Sequence, residues 1–181
     1  MGSGHDLPTR GVGFLVHKRW NSSIRQFRRI SERLAYIDIQ CKQFKMRFVT
    51  AYFPHSGYAD EDVQKLYDEP GQVQLEAKQR KMVFIIGADC NAEVGATDDG
   101  NATLGRFGFG AKNSRGRWLT SWATIQNLAI ANTHFEKPAD KLTTFTGPNG
   151  RPRQIDYFLV DTKIARLPAK YTSTQITKLS K

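Results

Sequence analysis

An apolar run at residues 82–88 (MVFIIGA) constrains the fold of this chain more than any other feature. A strand that is apolar on both faces must be covered on both, as strands are inside layered α/β proteins. The run leads directly into Asp89, Cys90 and Asn91. The sequence therefore predicts a buried strand that ends in an acid and an amide.

Strands predominate along the rest of the chain, and two helices interrupt them. Enrichment in β-branched and aromatic residues predicts further strands at residues 11–18, 24–30, 33–40, 45–53, 128–135, 143–146 and 154–160. Apolar positions at helical spacing predict a helix at residues 60–69, and Pro70-Gly71 predicts a break before it resumes. Four apolar residues at helical spacing predict a second helix: Trp118, Trp122, Ile125 and Leu128. Together these elements predict a mixed α/β sandwich.

The composition favours a polyanionic partner. The 181 residues include 27 Lys and Arg against 17 Asp and Glu, a net charge of +10. Cations placed against phosphates release condensed counterions, although a merely soluble basic surface explains the same charge. Two cysteines, Cys41 and Cys90, are too few for a disulfide framework and indicate reduced thiols. No membrane-length apolar run or signal peptide occurs, so we expect a nuclear or cytoplasmic protein without membrane contact.

Asp89 and Asn91 are the strongest candidates for chemistry. Side chains alternate along a strand, so these two share one face while Cys90 points to the other. The carboxylate can take a proton from water, and the amide can donate to a non-bridging phosphate oxygen. The same residues can instead form a turn in which they only satisfy local backbone groups.

Two further side chains occupy strand positions that suit a role at a phosphate. Alternation places Asp156 on a partly covered face, where a carboxylate needs a partner. It can orient an imidazole, or it can pair with Arg151 or Arg153 as a structural ion pair. Tyr52 closes a strand, where its hydroxyl can donate to a phosphate or the ring can simply pack at the edge. The four histidines show no metal-ligand spacing and are interpreted as non-catalytic: His5, His17, His55 and His134.

Six motifs occur in an order that resembles the endonuclease/exonuclease/phosphatase superfamily: AYFP, GADCNA, a Trp/Leu helix, IANTHF, TTFTG and RQIDYFLV. The resemblance runs from Gly11 to Val160 and is strongest to non-LTR retrotransposon endonuclease domains and to host relatives of the craniofacial development protein 2 type. It implies a DNase I-like, four-layer sandwich of two mixed sheets flanked by helices. It also implies a flexible segment at residues 1–10, the domain at 11–160 and a basic tail at 161–181.

The resemblance implies a role for each matching residue. Tyr52 matches a phosphate-contacting tyrosine, and Asp89 matches the aspartate that positions or deprotonates water and is a weak metal-ligand candidate. Asn91 matches the asparagine that stabilises the transition state, and Asp156 matches the acid that orients a histidine. The hairpin GPNGRPR lies where retrotransposon enzymes contact DNA, which makes Asn149, Arg151 and Arg153 candidate DNA-binding residues.

The activity implied by the resemblance is hydrolysis of a DNA phosphodiester with Mg²⁺ or Mn²⁺, leaving a 3′-hydroxyl. Two alternatives stay open: a phosphatase or RNase of the same fold, and a catalytically dead nucleic-acid-binding module. The sequence also departs from the family, because the opening Asn strand, the metal-ligand Glu of a QET-like motif and the closing Ser-Asp-His do not occur. We therefore expect an incomplete domain, doubtful metal binding, and little or no nuclease activity from this polypeptide alone.

Overall fold

Six strands form one mixed sheet in the computed structural model, which describes residues 11–42, 44–98 and 100–165. They lie in the order β1 (Ile24–Arg29), β2 (Leu34–Gln40), β3 (Lys45–Tyr52), β4 (Val83–Asp89), β8 (Asp156–Asp161) and β5 (Leu128–Ile130). A smaller sheet in these ranges is the hairpin of β6 (Phe145–Thr146) and β7 (Pro152–Arg153). The helices are α1 (Asp60–Gln79), α2 (Ser114–Ile125), α3 (Ala139–Leu142) and α4 (Thr162–Ala165), with 3₁₀ turns at Lys18–Ser23 and Ala131–His134. The predicted mixed architecture of sheets and helices is confirmed.

The chain divides into two compact units, and β8 contributes to both. The first unit comprises the chain up to Ala92 together with Ile155–Tyr157. The second comprises Glu93–Gln154 and the chain from Phe158 onward. The four predicted catalytic residues therefore fall in the first unit, and the three predicted DNA-binding residues fall in the second.

The core of the first unit is built around β2 and β3. Residues 34–39 of β2 are buried at every position, and β1 and β3 pair with β2 on either side in antiparallel register. The chain then passes through α1 and returns as β4, which runs parallel to β3. Residues 83–89 alternate between half-buried and buried, so the apolar run is the central strand that the sequence predicted.

Asp38 interrupts the apolar pattern of β2 because it has a buried partner. Arg47 lies directly opposite on β3, and its guanidinium donates to both carboxylate oxygens at 2.7 and 2.8 Å. Arg47 also donates to the carbonyl of Val73 and to Glu76 on α1, and it stacks over the ring of Tyr36. The charged pair is therefore part of the core, with its hydrogen-bonding groups paired in good geometry.

The predicted break at Pro70-Gly71 is wrong, because α1 continues through it from Asp60 to Gln79. A proline inside a helix removes one backbone hydrogen bond and crowds the preceding turn. Pro70 lies on the buried stripe of α1, together with Val63, Tyr67, Val73, Gln74 and Ala77. Burial of this stripe sustains the helix, because tertiary packing supplies most of the stability of helices in proteins.

In the second unit, α2 is confirmed as a helix, but its predicted apolar face is only partly correct. Trp122 is buried on that face, whereas Ile125 is 75% exposed and Leu128 belongs to β5. The helix begins at the Asn113 cap, whose side-chain oxygen accepts from the N–H of Gly116. A Cβ on Gly116 would collide with the backbone carbonyl of Glu93, so only glycine permits this close approach.

Three other predictions are corrected or lie beyond the described ranges. Residues 11–17 have no regular structure, and a 3₁₀ turn follows them in place of the predicted strand. The strand predicted at residues 128–135 ends at Ile130 and gives way to another 3₁₀ turn. The predicted segment at residues 1–10 and most of the predicted basic tail, residues 166–181, lie outside the described residues. No helix in the described part of the chain is long and apolar enough to cross a bilayer.

Candidate active site

The four predicted catalytic residues meet where strands of the first unit end. Tyr52 and Asp89, the last residues of β3 and β4, are partners in the parallel register. The N–H of Phe53 donates to the carbonyl of Asp89 at 2.8 Å, which continues the pairing past the strand ends. The N–H of Cys90 donates to the carbonyl of Ile155 at 2.8 Å, which brings the neighbouring Asp156 to the same place.

Asn91 is held in a conformation that its neighbours specify. Its φ of +46° lies in the left-handed region, which asparagine tolerates better than most residues. Its N–H donates to Oδ1 of Asp89 at 3.0 Å, and its side-chain amide donates to the carbonyl of Phe53 at 3.0 Å. Asp89 and Asn91 therefore do form the local hydrogen bonds of the alternative interpretation. Each side chain nevertheless retains further hydrogen-bonding groups. A side-chain amide has two N–H groups, and a carboxylate has a second oxygen.

Asp89 is half-buried. The exposure of residues 89–91 alternates, which supports the prediction that Asp89 and Asn91 share one face and Cys90 points to the other. Asp89 and Asn91 are partly exposed, while Cys90 between them is fully buried. Burial raises the pKa of Asp89 above its usual value, the N–H of Asn91 opposes this, and the negative charge of Asp156 raises it further. No lysine or arginine in the described ranges forms an ion pair with Asp89. The site therefore contains two nearby carboxylates, one of which is a stronger base than an ordinary aspartate.

The two thiols are free, as the sequence predicted. Burial, followed by the nearby charges of Asp89 and Asp156, raises the pKa of Cys90 well above its usual value. A buried thiol in such surroundings stays protonated and is a poor nucleophile. Cys90 is therefore a packing residue of the strand end, whereas Cys41 is only partly buried.

Sequence reasoning missed Arg33, which lies at the same sheet edge. Its carbonyl accepts from the N–H of Tyr52 at 2.9 Å, and its guanidinium lies 5.1 Å from the ring centroids of both Tyr52 and Tyr58. It also donates to the hydroxyl of Tyr58. The sequence could have pointed to it, because a basic residue stands directly before β2, in which residues 34–39 are all buried.

The second unit contains the predicted DNA-binding hairpin and a carboxylate that the sequence did not single out. Glu93, whose side chain is 4% exposed, accepts from Arg151 at 3.0 Å and from Arg153 at 3.0 Å. Asn113 holds the same residue through its own side-chain oxygen, which accepts from the N–H of Glu93. Both arginines, which the sequence offered as possible partners of Asp156, form ion pairs with Glu93.

An asparagine and a glycine shape the turn of this hairpin. Phe145 pairs with Arg153, Gly150 has a φ of +74°, and the side chain of Asn149 accepts from the N–H of Arg151. Asn149 therefore shapes the turn, and its role in DNA binding stays a prediction. Arg151 and Arg153 are 54% and 37% exposed, so each guanidinium faces both Glu93 and solvent.

The described histidines take part in local structure or lie in the second unit. His17 and His55 each accept through Nδ1 from a backbone N–H two residues on. His134 ends a 3₁₀ turn of the second unit, and His5 lies outside the described residues. Across the described ranges, no group of three or more His, Cys, Asp or Glu side chains is arranged to hold a metal ion.

Comparison with known proteins places this geometry in a known fold. Craniofacial development protein 2 is 35% identical over 155 residues in both Bos taurus and Tragulus javanicus. These residues are 84% of this chain and 26% of each relative, so the chain spans about a quarter of their length. No family model matches the chain.

Solved structures agree on the fold at low sequence identity. The endonuclease domain of TRAS1, a telomere-specific non-LTR retrotransposon, matches with a TM-score of 0.53 and 15% identity, over 76% of this chain and 54% of that one. The 3′-5′ exonuclease NExo from Neisseria meningitidis matches with a TM-score of 0.50 and 13% identity, over 74% and 54%. A 3′ phosphatase NExo from Neisseria, bound to a product DNA hairpin, matches with a TM-score of 0.51 and 12% identity, over 76% and 55%. The chain therefore shares the DNase I-like fold of these structures, as its ordered motifs predicted.

Proposed function

We propose that the first unit forms the phosphate-binding and water-activating part of a Mg²⁺-dependent DNA endonuclease. The observation that carries this proposal is the meeting of Tyr52, Asp89, Asn91 and Asp156 at one sheet edge, with Asp89 made more basic by burial and by Asp156. Tyr52, the pair Asp89 and Asn91, and Asp156 lie in three distant parts of the sequence, and a structural turn at residues 89–91 would not require them to converge.

Each side chain has a specific role in the proposed hydrolysis. The Asp89 carboxylate takes a proton from water, whose oxygen then attacks the phosphorus of a DNA phosphodiester. The bond from phosphorus to the 3′ oxygen breaks, and that oxygen takes a proton from solvent to become a 3′-hydroxyl. The Asn91 amide and the Tyr52 hydroxyl donate to the non-bridging oxygens, which hold more charge in the transition state than in the substrate.

The donor set at this edge is compatible with a divalent cation but incomplete by itself. Asp89 and Asp156 are close enough for one charge to affect the other, and a cation shared with the phosphate would relieve that repulsion. Mg²⁺ commonly takes one or two carboxylates, with waters and phosphate oxygens for the remaining positions. When bound, it would neutralise charge on the transferring phosphoryl group. In the described ranges no three-residue cluster is arranged to hold a metal ion, so Asp89 and Asp156 would be two ligands of an incomplete set.

DNA is the preferred substrate class in this proposal because two features favour a long polyanion. The net charge is +10, and the hairpin of the second unit holds two partly exposed arginines on a buried carboxylate. A small phosphate ester would need neither feature. The product DNA hairpin bound to the 3′ phosphatase NExo is consistent with this choice.

A plasmid-nicking assay tests the proposal. The purified protein is incubated with supercoiled plasmid and Mg²⁺ beside Asp89→Asn and Asn91→Ala. We expect each variant to lose about 100-fold or more of any wild-type rate, the usual effect of removing a general base or a transition-state donor. Asp140→Asn removes a carboxylate that is 71% exposed and serves as the charge-matched control.

The outcomes separate the competing functions. Nicking by the wild type that both site variants lose supports the endonuclease. Hydrolysis of a soluble phosphate ester without nicking assigns the site to a phosphatase. Salt-dependent DNA binding that survives Asp89→Asn, with no cleavage by any variant, assigns the chain to a binding module, for which the Glu93-held arginines are the favouring observation.

A further inference from the structure

Arg33 is a buried cation whose hydrogen-bonding capacity is largely unused. Its side chain is 9% exposed, and its Nη1 is buried with no acceptor in the described part of the chain. A guanidinium has five N–H groups, and the hydroxyl of Tyr58 takes one of them. The Arg33 Nε lies 3.7 Å from Glu32, which is too long for a hydrogen bond, and that carboxylate is half exposed.

Burying a charge with few partners is costly, so Arg33 needs an explanation that packing does not provide. Its position supplies one. The guanidinium lies against the face of the Tyr52 ring, while the Arg33 carbonyl accepts from the Tyr52 N–H. Tyr52 in turn is the register partner of Asp89. The positive charge therefore lies 5.1 Å from the ring centroid of a residue whose register partner is Asp89.

We propose that Arg33 is a positioning residue that fixes the Tyr52 ring and supplies the positive charge that retains a phosphate group at this sheet edge. This inference rests on the proposed function, because it assumes that Tyr52 contacts phosphate. Arg33 acts through Tyr52 and through its field, and no direct contact with the ligand is required. Because the interior of a protein screens charges less than water does, we expect loss of the Arg33 charge to weaken anion binding by about tenfold.

The test measures stabilisation by a ligand, which a purely structural role would leave unchanged. Thermal unfolding is followed with rising inorganic phosphate at constant ionic strength, and separately with a short DNA duplex. We expect Arg33→Met to bind phosphate about tenfold more weakly than the wild type. Arg80→Met removes a charge that is 57% exposed in the same unit, and it should leave phosphate binding unchanged.

Two further variants keep the result interpretable. Arg33→Gln is a second uncharged replacement, which decides the question if Arg33→Met does not fold. Arg33→Lys keeps the charge without the planar group, and it should recover most of the phosphate binding. Uncharged variants that fold and bind phosphate as the wild type does would overturn the inference, as would a lysine variant that recovers nothing.

The two ligands and the nicking assay separate the possible failures. Phosphate binding that depends on Arg33, without nicking, retains the inference and rejects independent nuclease activity of this polypeptide, in line with the motifs that the sequence lacks. Nicking that depends on Asp89 but not on Arg33 retains the endonuclease and rejects the inference. If binding of the duplex depends on Arg33 but binding of inorganic phosphate does not, the anion is assigned to a DNA backbone. If the wild-type protein binds neither ligand, both proposals are overturned.

Discussion

Two arginines are buried in the described part of the first unit, and their surroundings differ in kind. Arg47 is fully buried, donates to both oxygens of Asp38, reaches Val73 and Glu76, and stacks on an aromatic ring. Arg33 is nearly as buried, yet it donates to one tyrosine hydroxyl and keeps a buried nitrogen without an acceptor in the described residues. The first cation is neutralised by a buried carboxylate, whereas the second has, among the described residues, only the half-exposed Glu32 carboxylate, 3.7 Å away.

The carboxylates of the same unit show the matching contrast. Asp38 is paired with the buried cation of Arg47, while Asp89 has a pKa raised by burial and by Asp156 and has no ion pair in the described ranges. Paired groups specify the fold, and groups left incompletely paired mark places where a ligand can complete the pairing. The incompletely paired cation and carboxylate lie at the same strand ends, which is why the site is located there.

The largest expected effect is the loss of the Arg47 pair. Arg47→Met leaves the buried Asp38 carboxylate with only the exposed Arg80 guanidinium, 3.8 Å away, and it should lower the free energy of unfolding by about 3 to 5 kcal/mol. Urea denaturation followed by circular dichroism measures this. The double variant Asp38→Leu with Arg47→Met removes both charges and should recover most of the loss. If Arg47→Met proved as stable as the wild type, the contrast drawn between Arg47 and Arg33 would be wrong.

Glu93 provides an intermediate case, because it pairs with two arginines that also face solvent. Glu93→Ala makes the protein more basic, so charge alone predicts tighter DNA binding. If Glu93 holds Arg151 and Arg153 in a binding geometry, the same change should weaken binding several-fold, by about 1 kcal/mol. Titration of a labelled duplex at fixed salt shows whether Glu93→Ala binds DNA more tightly or more weakly than the wild type.

Asp140→Ala supplies the control for the Glu93 prediction. It raises the net charge equally, at a residue that is 71% exposed, so it should leave duplex binding unchanged or slightly tighter. Tighter binding by both variants would show that the hairpin arginines act only through charge. Weaker binding by Glu93→Ala alone would show that this carboxylate positions them.

A smaller effect is expected at Asp89, with the sign opposite to that at Asp38. A raised pKa means that the folded protein holds the proton of Asp89 more tightly than the unfolded chain does. This contribution to stability is complete below the unfolded pKa and is lost as the pH rises through the folded pKa. Ionised Asp89 therefore destabilises the fold at neutral pH.

Asp89→Asn should consequently raise the unfolding midpoint at pH 7, and the gain over the wild type should shrink as the pH falls into the acid range. Asparagine keeps an oxygen that can accept from the N–H of Asn91. Thermal unfolding at a series of pH values measures this. Asp38→Asn should instead destabilise at neutral pH, so equal behaviour of the two variants would contradict the distinction between them.

The sequence could predict features that depend on residues adjacent in the chain, but not those that depend on packing against distant segments. Local pattern was sufficient for β2, β3 and β4 and for the acid-amide end of β4, since each rests on residues adjacent in the chain. It was wrong at Pro70, because burial of the α1 stripe overrides the local preference, and at Ile125, because the helix ends before its apolar pattern does.

The partners of charged residues could not be predicted, because they depend on register and on distant segments. Asp38 breaks an apolar pattern, and only the pairing of β2 with β3 reveals that Arg47 lies opposite. Glu93 meets two arginines about 60 positions away in the chain, as the separations of 58 and 60 residues record. Arg33 stands beside Tyr52 for the same reason, since antiparallel pairing brings the start of one strand to the end of the next.

The smallest expected effect on stability is at Arg33, and it sharpens the comparison most. Because Arg33 has few partners to lose, Arg33→Met should change the free energy of unfolding by less than about 1 kcal/mol, in either direction, without phosphate. The same substitution at Arg47 should cost several times more, although both side chains are buried. Denaturation of the two methionine variants under identical conditions measures the difference. If Arg33→Met proved as destabilising as Arg47→Met, Arg33 would be a structural residue of the β2 and β3 ends, and the unpaired nitrogen would have to be explained by packing. If the two differ as expected, an arginine has been kept buried at the strand ends where stability does not require it, which is the behaviour expected of a residue retained for binding an anion.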